Sequence, residues 1–410
     1  MSPSTTTFEG EVGRALAEFQ DALGVCATAV MGDGDWRPAD LARRTGLDTK
    51  LAWKLHRILS SEAAMACGPY VPGRRGLSIM AEALAEAGAP REKVAELNEA
   101  AETFLSLVRR HGGSRRAFDA LLAEHGESGA ERSDLEQRRL AYEGSSYIWG
   151  VRAATNLATF IVAPSEEKDM LDIALIRAVY DLQRVRKKVS WRLARMFFQT
   201  PQKGVRKVER REAINPKRRG TPVTEELPLL DEFCTSPMPE YERIESAQGV
   251  VEYQLAEAEV GTQGSVTCVM GEVVRACQTR YSDDETPLRI RFGLRTPAEL
   301  GVVDLLMHQD LFHRAAPRVK LMSDLFAGEA HSPYQVADEL PTPERLEVLG
   351  ADVRRAGLRE APEYVAMLER SLEWLGWERE AFDIYRFRMA YPPIPTTLMY
   401  IYDAALARRP

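Results

Sequence analysis

The stretch PADLARRTGLDTKLAWKLHRI occupies residues 38–58 and predicts two short helices joined by a tight turn. Leu41 faces inward from the first helix, and Gly46 permits the unusual backbone that such a turn needs. Asp48 or Thr49 is positioned to cap the second helix, because short polar side chains accept hydrogen bonds from the first free N–H groups. The layout is that of a helix-turn-helix.

The second helix of this stretch predicts one buried face and one outward face. The outward face holds Lys50, Trp53, Lys54 and Arg57, spaced at positions 0, 3, 4 and 7. Residues 37–57 contain six Lys or Arg against two Asp, which gives a local net charge of +4. A cationic helix face of this kind is typical of a recognition helix that enters the major groove of DNA.

Residues 10–80 resemble the winged-helix N-terminal domain of bacterial regulators of the IclR and MarR type. The resemblance rests on the pattern Leu41-Ala42-x3-Gly46-Leu47, on Ala52 and Leu55, and on a basic turn at residues 72–76. It implies a helix, a helix-turn-helix and a β wing, followed by an effector or dimer domain, with the wing arginines at the minor groove or the DNA backbone. The DNA-binding residues predicted in this way are Arg37, Thr49, Lys50, Trp53, Lys54, Arg57, Arg74 and Arg75.

The same winged fold also serves as a dimerisation module in front of small-molecule methyltransferase domains. Such a chain continues into a glycine-rich cofactor loop, and the sequence contains no G-x-G-x-x-G. It also contains no P-loop, no H-E-x-x-H and no G-x-S-x-G motif. We therefore expect no catalytic residues and no cofactor. The alternative is an enzyme that uses the winged helix only as a dimerisation module.

Charge is distributed unevenly along the 410 residues, whose formal net charge is -7. Residues 184–219 carry 14 Lys or Arg against two Glu, whereas residues 221–260 carry ten acids against one Arg. The basic segment is either a phosphate-binding surface, as in an RNA- or assembly-associated protein, or a partner of the neighbouring acidic segment. The sequence alone leaves both interpretations open.

Hydrophobic spacing predicts a mainly α N-terminal half and an α+β C-terminal domain with a small antiparallel sheet. Apolar residues three and four apart predict a long helix from about residue 165 to residue 198, which forms a helical spine. Short β-branched segments between residues 250 and 292 predict the strands, and Thr296-Pro297 predicts a helix start. The predicted domains are a winged helix at 10–90, a helical spine or dimerisation region at 91–200, a Pro-rich charged linker at 201–247 and an α+β sensor or assembly domain at 248–410.

Few residues suggest chemistry beyond DNA binding. His308 and His313 flank Asp310 but lie on different faces of a helix, so we expect no metal site. Cys268 and Cys277 lie on separate predicted strands and would permit redox sensing as neighbours, although isolated reduced thiols fit the five cysteines better. A cluster of aromatic residues fits either a core or a small-molecule pocket, and the predicted pocket residues are Trp374, Trp377, Tyr385, Phe387 and Tyr391.

Together these features predict a cytoplasmic transcription regulator whose C-terminal domain senses a ligand or mediates assembly. Its expected partners are double-stranded DNA, a second copy of the chain in a homodimer and a small-molecule effector. We expect no membrane association, because the sequence lacks an apolar run near the roughly 18 residues that a membrane span requires and shows no secretory signal.

Overall fold

The computed structural model describes residues 8–32, 34, 36–61, 63–124, 130–187, 189–197, 210–245, 250–256, 259–281, 288–325 and 336–403. The chain divides into two compact units, Met1–Glu136 and Gln137–Pro410. Within the described ranges, no helix has the length and apolar character needed to cross a membrane.

The first unit is helical throughout its described part. Its core is organised around α1, where Val12, Leu16, Phe19 and Leu23 follow a three- and four-residue spacing and are fully buried. Helix α8 continues across the boundary between the units in the sequence. The helices are α1 (Phe8–Met31), α2 (Pro38–Thr45), α3 (Thr49–Leu59), α4 (Ala64–Cys67), α5 (Arg74–Glu86), α6 (Arg91–Leu107), α7 (Arg115–Glu124) and α8 (Ala130–Trp149).

The predicted β wing is wrong. A 3-10 turn at Gly68–Tyr70 leads into α5, and the described residues up to Glu124 contain no strand. Gly73 supplies the extended N-cap of α5. Leu77, Met80 and Leu84 then bury one helical face, so hydrophobic burial favours a helix at the position where the resemblance implies a β wing.

The second unit is built on a seven-stranded mixed sheet with the order β12-β13-β9-β1-β2-β7-β4. Its central strand β1 pairs antiparallel with β2 and parallel with β9. The strands of the unit are β1 (Val151–Pro164), β2 (Met170–Arg184), β3 (Trp191–Phe197), β4 (Arg210–Ala213), β5 (Tyr241–Glu245), β6 (Val250–Leu255), β7 (Val266–Thr279), β8 (Leu288–Leu294), β9 (Ala298–His308), β10 (Arg318–Ser323), β11 (Glu339–Leu340), β12 (Glu347–Gly350), β13 (Phe382–Ala390) and β14 (Thr396–Tyr402).

Both faces of the large sheet are covered. On one face Leu157 and Ile161 of β1 pack with the residues of helix α9 (Tyr364–Leu375). On the other face Phe160 and Val162 pack against a second sheet of order β11-β10-β14-β8. A third sheet of order β3-β6-β5 packs against the residues of β7 through its own apolar cluster. The prediction of one small antiparallel sheet is therefore wrong.

The predicted helical spine is also wrong, because β1, β2 and β3 occupy residues 151–197. Both faces of β2 are apolar, with Ala174 and Ile176 buried on one side and Ile173 and Leu175 packed on the other. Such a strand contains apolar residues at helical spacing by necessity.

Two further sequence-based expectations for the second unit are corrected. The helix predicted after Thr296 is the buried strand β9. The predicted linker contains β4 and β5, while its residues 201–209 lie outside the described part of the chain.

Candidate nucleic-acid interface

Helices α2 and α3 are joined by the turn that the sequence predicts. Gly46 ends α2 in the left-handed region with φ +72°, which a residue with a Cβ adopts only at a cost. The Asp48 carboxylate accepts the N–H groups of Lys50 at 2.9 Å and Leu51 at 3.0 Å, and so caps α3. The Thr45 hydroxyl donates to the Leu41 carbonyl at 2.8 Å, which closes the end of α2. The orientation of α3 is fixed by local hydrogen bonds.

Helix α3 separates into a buried face and an outward face. Ala52, Leu55 and Ile58 are buried in the core of the unit. The outward face holds the predicted residues, of which Trp53 is 46% exposed and Lys54 is half-buried. The remaining outward residues Thr49, Lys50 and Arg57 are exposed.

The C-terminal half of α3 is engaged by Tyr70. The Arg57 guanidinium lies 5.0 Å from the Tyr70 ring centroid and donates to its hydroxyl at 3.2 Å. The Trp53 ring meets the Tyr70 ring edge-on at 5.6 Å. Burial raises the pKa of Asp119, and the nearby charges of Arg115 and Lys54 oppose this rise. The charges of Lys54 and Arg57 are therefore partly satisfied within the unit.

Arg74 and Arg75 lie in the first turn of α5 instead of a wing. A Cβ at Gly76 would stand 3.6 Å from Leu51 Cδ2, so this turn packs beside the start of α3. Arg74 donates to Glu102 at 2.9 Å, and this pair raises the pKa of Arg74 and lowers the pKa of Glu102. Both arginines are exposed.

Three exposed cations around the start of α3 have no ionic partner in the part of the chain that the structure describes. Arg43 pairs with Asp40 at 3.2 Å. Arg37 lies at the opposite end of α2 from α3, where its backbone N–H bonds the same aspartate. Among the described residues, Arg44, Lys50 and Arg75 form no ion pair. The unneutralised charge is thus concentrated at the N-terminal end of α3, between the last turn of α2 and the first turn of α5.

The five predicted pocket residues do not share one site. Trp374 and Trp377 pack on the α9 face of the large sheet. Tyr385 and Phe387 are buried on the opposite face, under the second sheet. Tyr391 packs against Tyr142 instead, with ring centroids 5.3 Å apart. The aromatic cluster in the sequence mostly builds the core.

Several cations in the described part of the basic segment 184–219 form ion pairs within the fold. Arg218 bonds Asp231 at 2.6 Å and also contacts Glu226. Arg192 and Arg195 bond Glu252 at 2.9 and 3.2 Å. These acids belong to the acidic segment 221–260, so the structure favours the interpretation in which the two segments pair with each other.

Sequence reasoning did not single out a buried ionic network in the large sheet. The Arg386 guanidinium forms two bonds to the Asp304 carboxylate, at 2.8 and 2.7 Å, and the Tyr364 hydroxyl donates to the same carboxylate at 2.7 Å. Thr159 Oγ1 lies 2.7 Å from the Tyr364 hydroxyl. One signal was available, since Asp304 interrupts the apolar run GVVDLLM. The four side chains are buried and bonded to one another, which fits a structural role.

The histidines around Asp310 do not form a ligand set. His308 Nδ1 lies 3.7 Å from the Asp310 carboxylate, and the exposed His313 adopts φ +53°. The described residues contain no group of three or more side chains placed to hold a metal ion.

Comparison of the chain with protein-family models, with curated proteins and with solved structures gives no match.

Proposed function

We propose that the unit Met1–Glu136 binds double-stranded DNA, with the N-terminal half of α3 at the major groove. The observation that carries the proposal is the group of exposed, unpaired cations Arg44, Lys50 and Arg75 around the start of a helix in a helix-turn-helix. Recognition helices contact base edges mainly through their N-terminal residues. Thr49, Lys50 and Trp53 would contact bases, while Arg44 and Arg75 would contact the flanking phosphates.

This proposal modifies the arrangement implied by the winged-helix resemblance. The first turn of α5 takes the place of the wing as the second contact with the DNA backbone. Arg75 contributes a free guanidinium, whereas Arg74 would first have to exchange its bond with Glu102 for one with a phosphate. We therefore rank Arg75 above Arg74 as a DNA contact.

We further propose that the protein acts as a regulator in the bacterial cytoplasm and binds DNA as a homodimer. Two copies of α3 would then occupy half-sites one helical turn apart, about 34–36 Å. The unit Gln137–Pro410 would sense an effector or mediate assembly. Nuclease footprinting tests the dimer. A dimer should protect two patches one helical turn apart on the same face of the DNA.

The DNA-binding proposal is tested by fluorescence anisotropy on a labelled random-sequence duplex over a series of salt concentrations. The Arg44→Ala/Arg75→Ala variant removes the two proposed phosphate contacts. The slope of log affinity against log salt should fall by about 2, since each phosphate contact contributes about 0.9. Affinity at fixed salt should fall about 30-fold, from about 1 kcal/mol for each lost hydrogen bond.

The matched control is Arg14→Ala/Arg91→Ala, which removes the same net charge from exposed positions elsewhere on the unit. Arg91 follows the far end of α5, and 13 helical residues span about 20 Å. The control should retain the wild-type slope. Equal losses in both variants would indicate attraction by overall charge and contradict a site at α3. The proposal would also be contradicted if the wild-type protein did not bind DNA at low salt.

A further inference from the structure

Cys234 lies beside strand β7 in the second unit. Two stretches of residues 228–235 run antiparallel along this strand, on either side of a 3-10 turn at Asp231–Phe233. In the first stretch the Leu230 N–H bonds the Val269 carbonyl at 2.9 Å. The Thr235 N–H bonds the Thr267 carbonyl at 2.8 Å, and the Thr267 N–H bonds the Thr235 hydroxyl at 2.7 Å. The two bonds between Thr235 and Thr267 place Cys234, the preceding residue, beside Cys268.

That placement satisfies the distance requirement of a disulfide. Paired residues on antiparallel strands have Cα atoms about 4.5–5.5 Å apart, and disulfides span about 4.4–6.8 Å between Cα atoms. The two thiols are hydrogen-bonded to each other, and Cys234 packs against the apolar cluster that contains Cys268. The Cys234 thiol also bonds the carbonyl of Val269, the neighbour of Cys268 on β7, at 3.4 Å.

The two sulfurs differ in exposure and acidity. Cys268 is 1% exposed, whereas Cys234 is partly open to solvent. The hydrogen bond from Cys268 lowers the pKa of Cys234 despite its burial, and the Val269 N–H, 3.3 Å from Cys234 Sγ, acts in the same direction. The hydrogen bond with Cys234 and burial both raise the pKa of Cys268. Cys234 is thus the more reactive thiol, because only the thiolate is a strong nucleophile.

We propose that Cys234 and Cys268 are a redox pair that closes to a disulfide when the protein meets hydrogen peroxide. The Cys234 thiolate attacks one peroxide oxygen, the O–O bond breaks, and hydroxide leaves to take up a proton as water. The resulting sulfenic acid is attacked by the Cys268 sulfur, the S–O bond breaks, and the Cys268 proton leaves with the hydroxyl group as a second water. The two sulfurs together lose two electrons, which reduce the peroxide.

The prediction that Cys268 and Cys277 lie on separate strands is wrong, because both belong to β7. The thiol of Cys277 donates to the carbonyl of Leu171 at 3.4 Å, and Leu171 belongs to the neighbouring strand β2. Cys277 is half-buried, as Cys234 is, so it provides a matched control for solvent access without the opposing thiol of Cys268.

The test treats the native full-length chain with hydrogen peroxide, blocks remaining thiols, and maps the tryptic peptides without reduction. Trypsin separates the cysteines, because Cys234 falls in peptide 220–243, Cys268 in 244–275 and Cys277 in 276–280. The expected product is 220–243 joined to 244–275, two hydrogen masses below the sum of the peptides and released by reductant. Three of the five thiols should remain.

Two variants complete the test. Cys277→Ser should form the same linked peptide, with two thiols remaining of four. Cys234→Ser should keep all four thiols at the same peroxide dose. Oxidation of Cys234 to sulfinic or sulfonic acid without the link, a link between Cys268 and Cys277, or a wild type that keeps five thiols would each overturn the proposal.

Discussion

The buried pair of Asp304 and Arg386 provides the sharpest test of how the second unit is stabilised. Arg386→Met keeps an apolar stem of similar length but removes two bonds to the Asp304 carboxylate and a 2.6 Å bond to the Ala356 carbonyl. Asp304 would keep only the Tyr364 hydroxyl as a donor. Leaving one charge of a buried pair without its partner costs about 3–5 kcal/mol.

Strand β13 contains its own control for this substitution. Arg388 lies two residues further along the strand and pairs with Glu360 at 2.6 Å, but its side chain is 43% exposed. Exposed pairs contribute at most about 1 kcal/mol. Arg388→Met therefore makes the same chemical change on the same strand, with a much smaller expected loss.

Hydrogen exchange followed by mass spectrometry measures the effect within this unit of the two-unit chain. A loss of 3–5 kcal/mol corresponds to about 10²- to 10⁴-fold faster exchange of the slowest amides in β9 and β13. Arg388→Met should change these rates by less than about tenfold. Equal rates in the two variants would refute the reasoning that burial makes the Asp304 pair strong.

The pH dependence of the Arg386→Met variant gives a second readout. Burial raises the pKa of Asp304, and Arg386 opposes that rise. Without Arg386 the pKa of Asp304 in the folded state rises further above its unfolded value. The folded variant then binds the proton more tightly, so its stability is highest in acid and falls as the pH rises through the folded pKa. Urea midpoints should therefore fall further below wild type at pH 8 than at pH 5, and a constant gap would contradict this.

Three further substitutions test local features of the first unit and of α8 by thermal unfolding. Gly112→Ala places a Cβ 2.6 Å from the Phe118 backbone nitrogen and should lower the free energy of unfolding by more than about 2 kcal/mol. Gly144 lies in an exposed part of α8, where a Cβ would meet no atom within 4 Å. Gly144→Ala should therefore raise the free energy of unfolding by up to about 1 kcal/mol. Opposite signs are required, and a similar loss in both would contradict the clash. Asp48→Ala removes the cap of two N–H groups of α3 and should cost about 1 kcal/mol, whereas an unchanged midpoint would show that the cap adds no stability.

The sequence predicts the first unit better than the second because its signals are local. Gly46, Asp48 and the spacing of Lys50, Trp53 and Arg57 lie within a few residues of one another, and α2 and α3 form where they indicate. The contact with Tyr70 is not visible in this pattern, since it depends on how the chain returns to α3.

The large sheet escapes prediction because both its faces are buried. Leu171, Leu175 and Val179 fit a helical stripe and a strand equally well, because most of the neighbouring positions are also apolar. Asp304 and Arg386 are 82 residues apart and meet only because β9 pairs with β13. No local pattern carries that information, so the network becomes visible only in the folded chain.

The position of β1 has a consequence for the order in which the second unit folds. Its partner β2 follows after a short turn, but its parallel partner β9 is made about 145 residues later, as the pairing of Ala153 with Ala298 shows. Closing so long a loop is slow. During synthesis the β1 edge of the β1–β2 hairpin stays open until β9 emerges from the ribosome, and Leu157 and Ile161 stay uncovered until helix α9 follows. That interval is when the nascent chain is most exposed to aggregation and most dependent on chaperones.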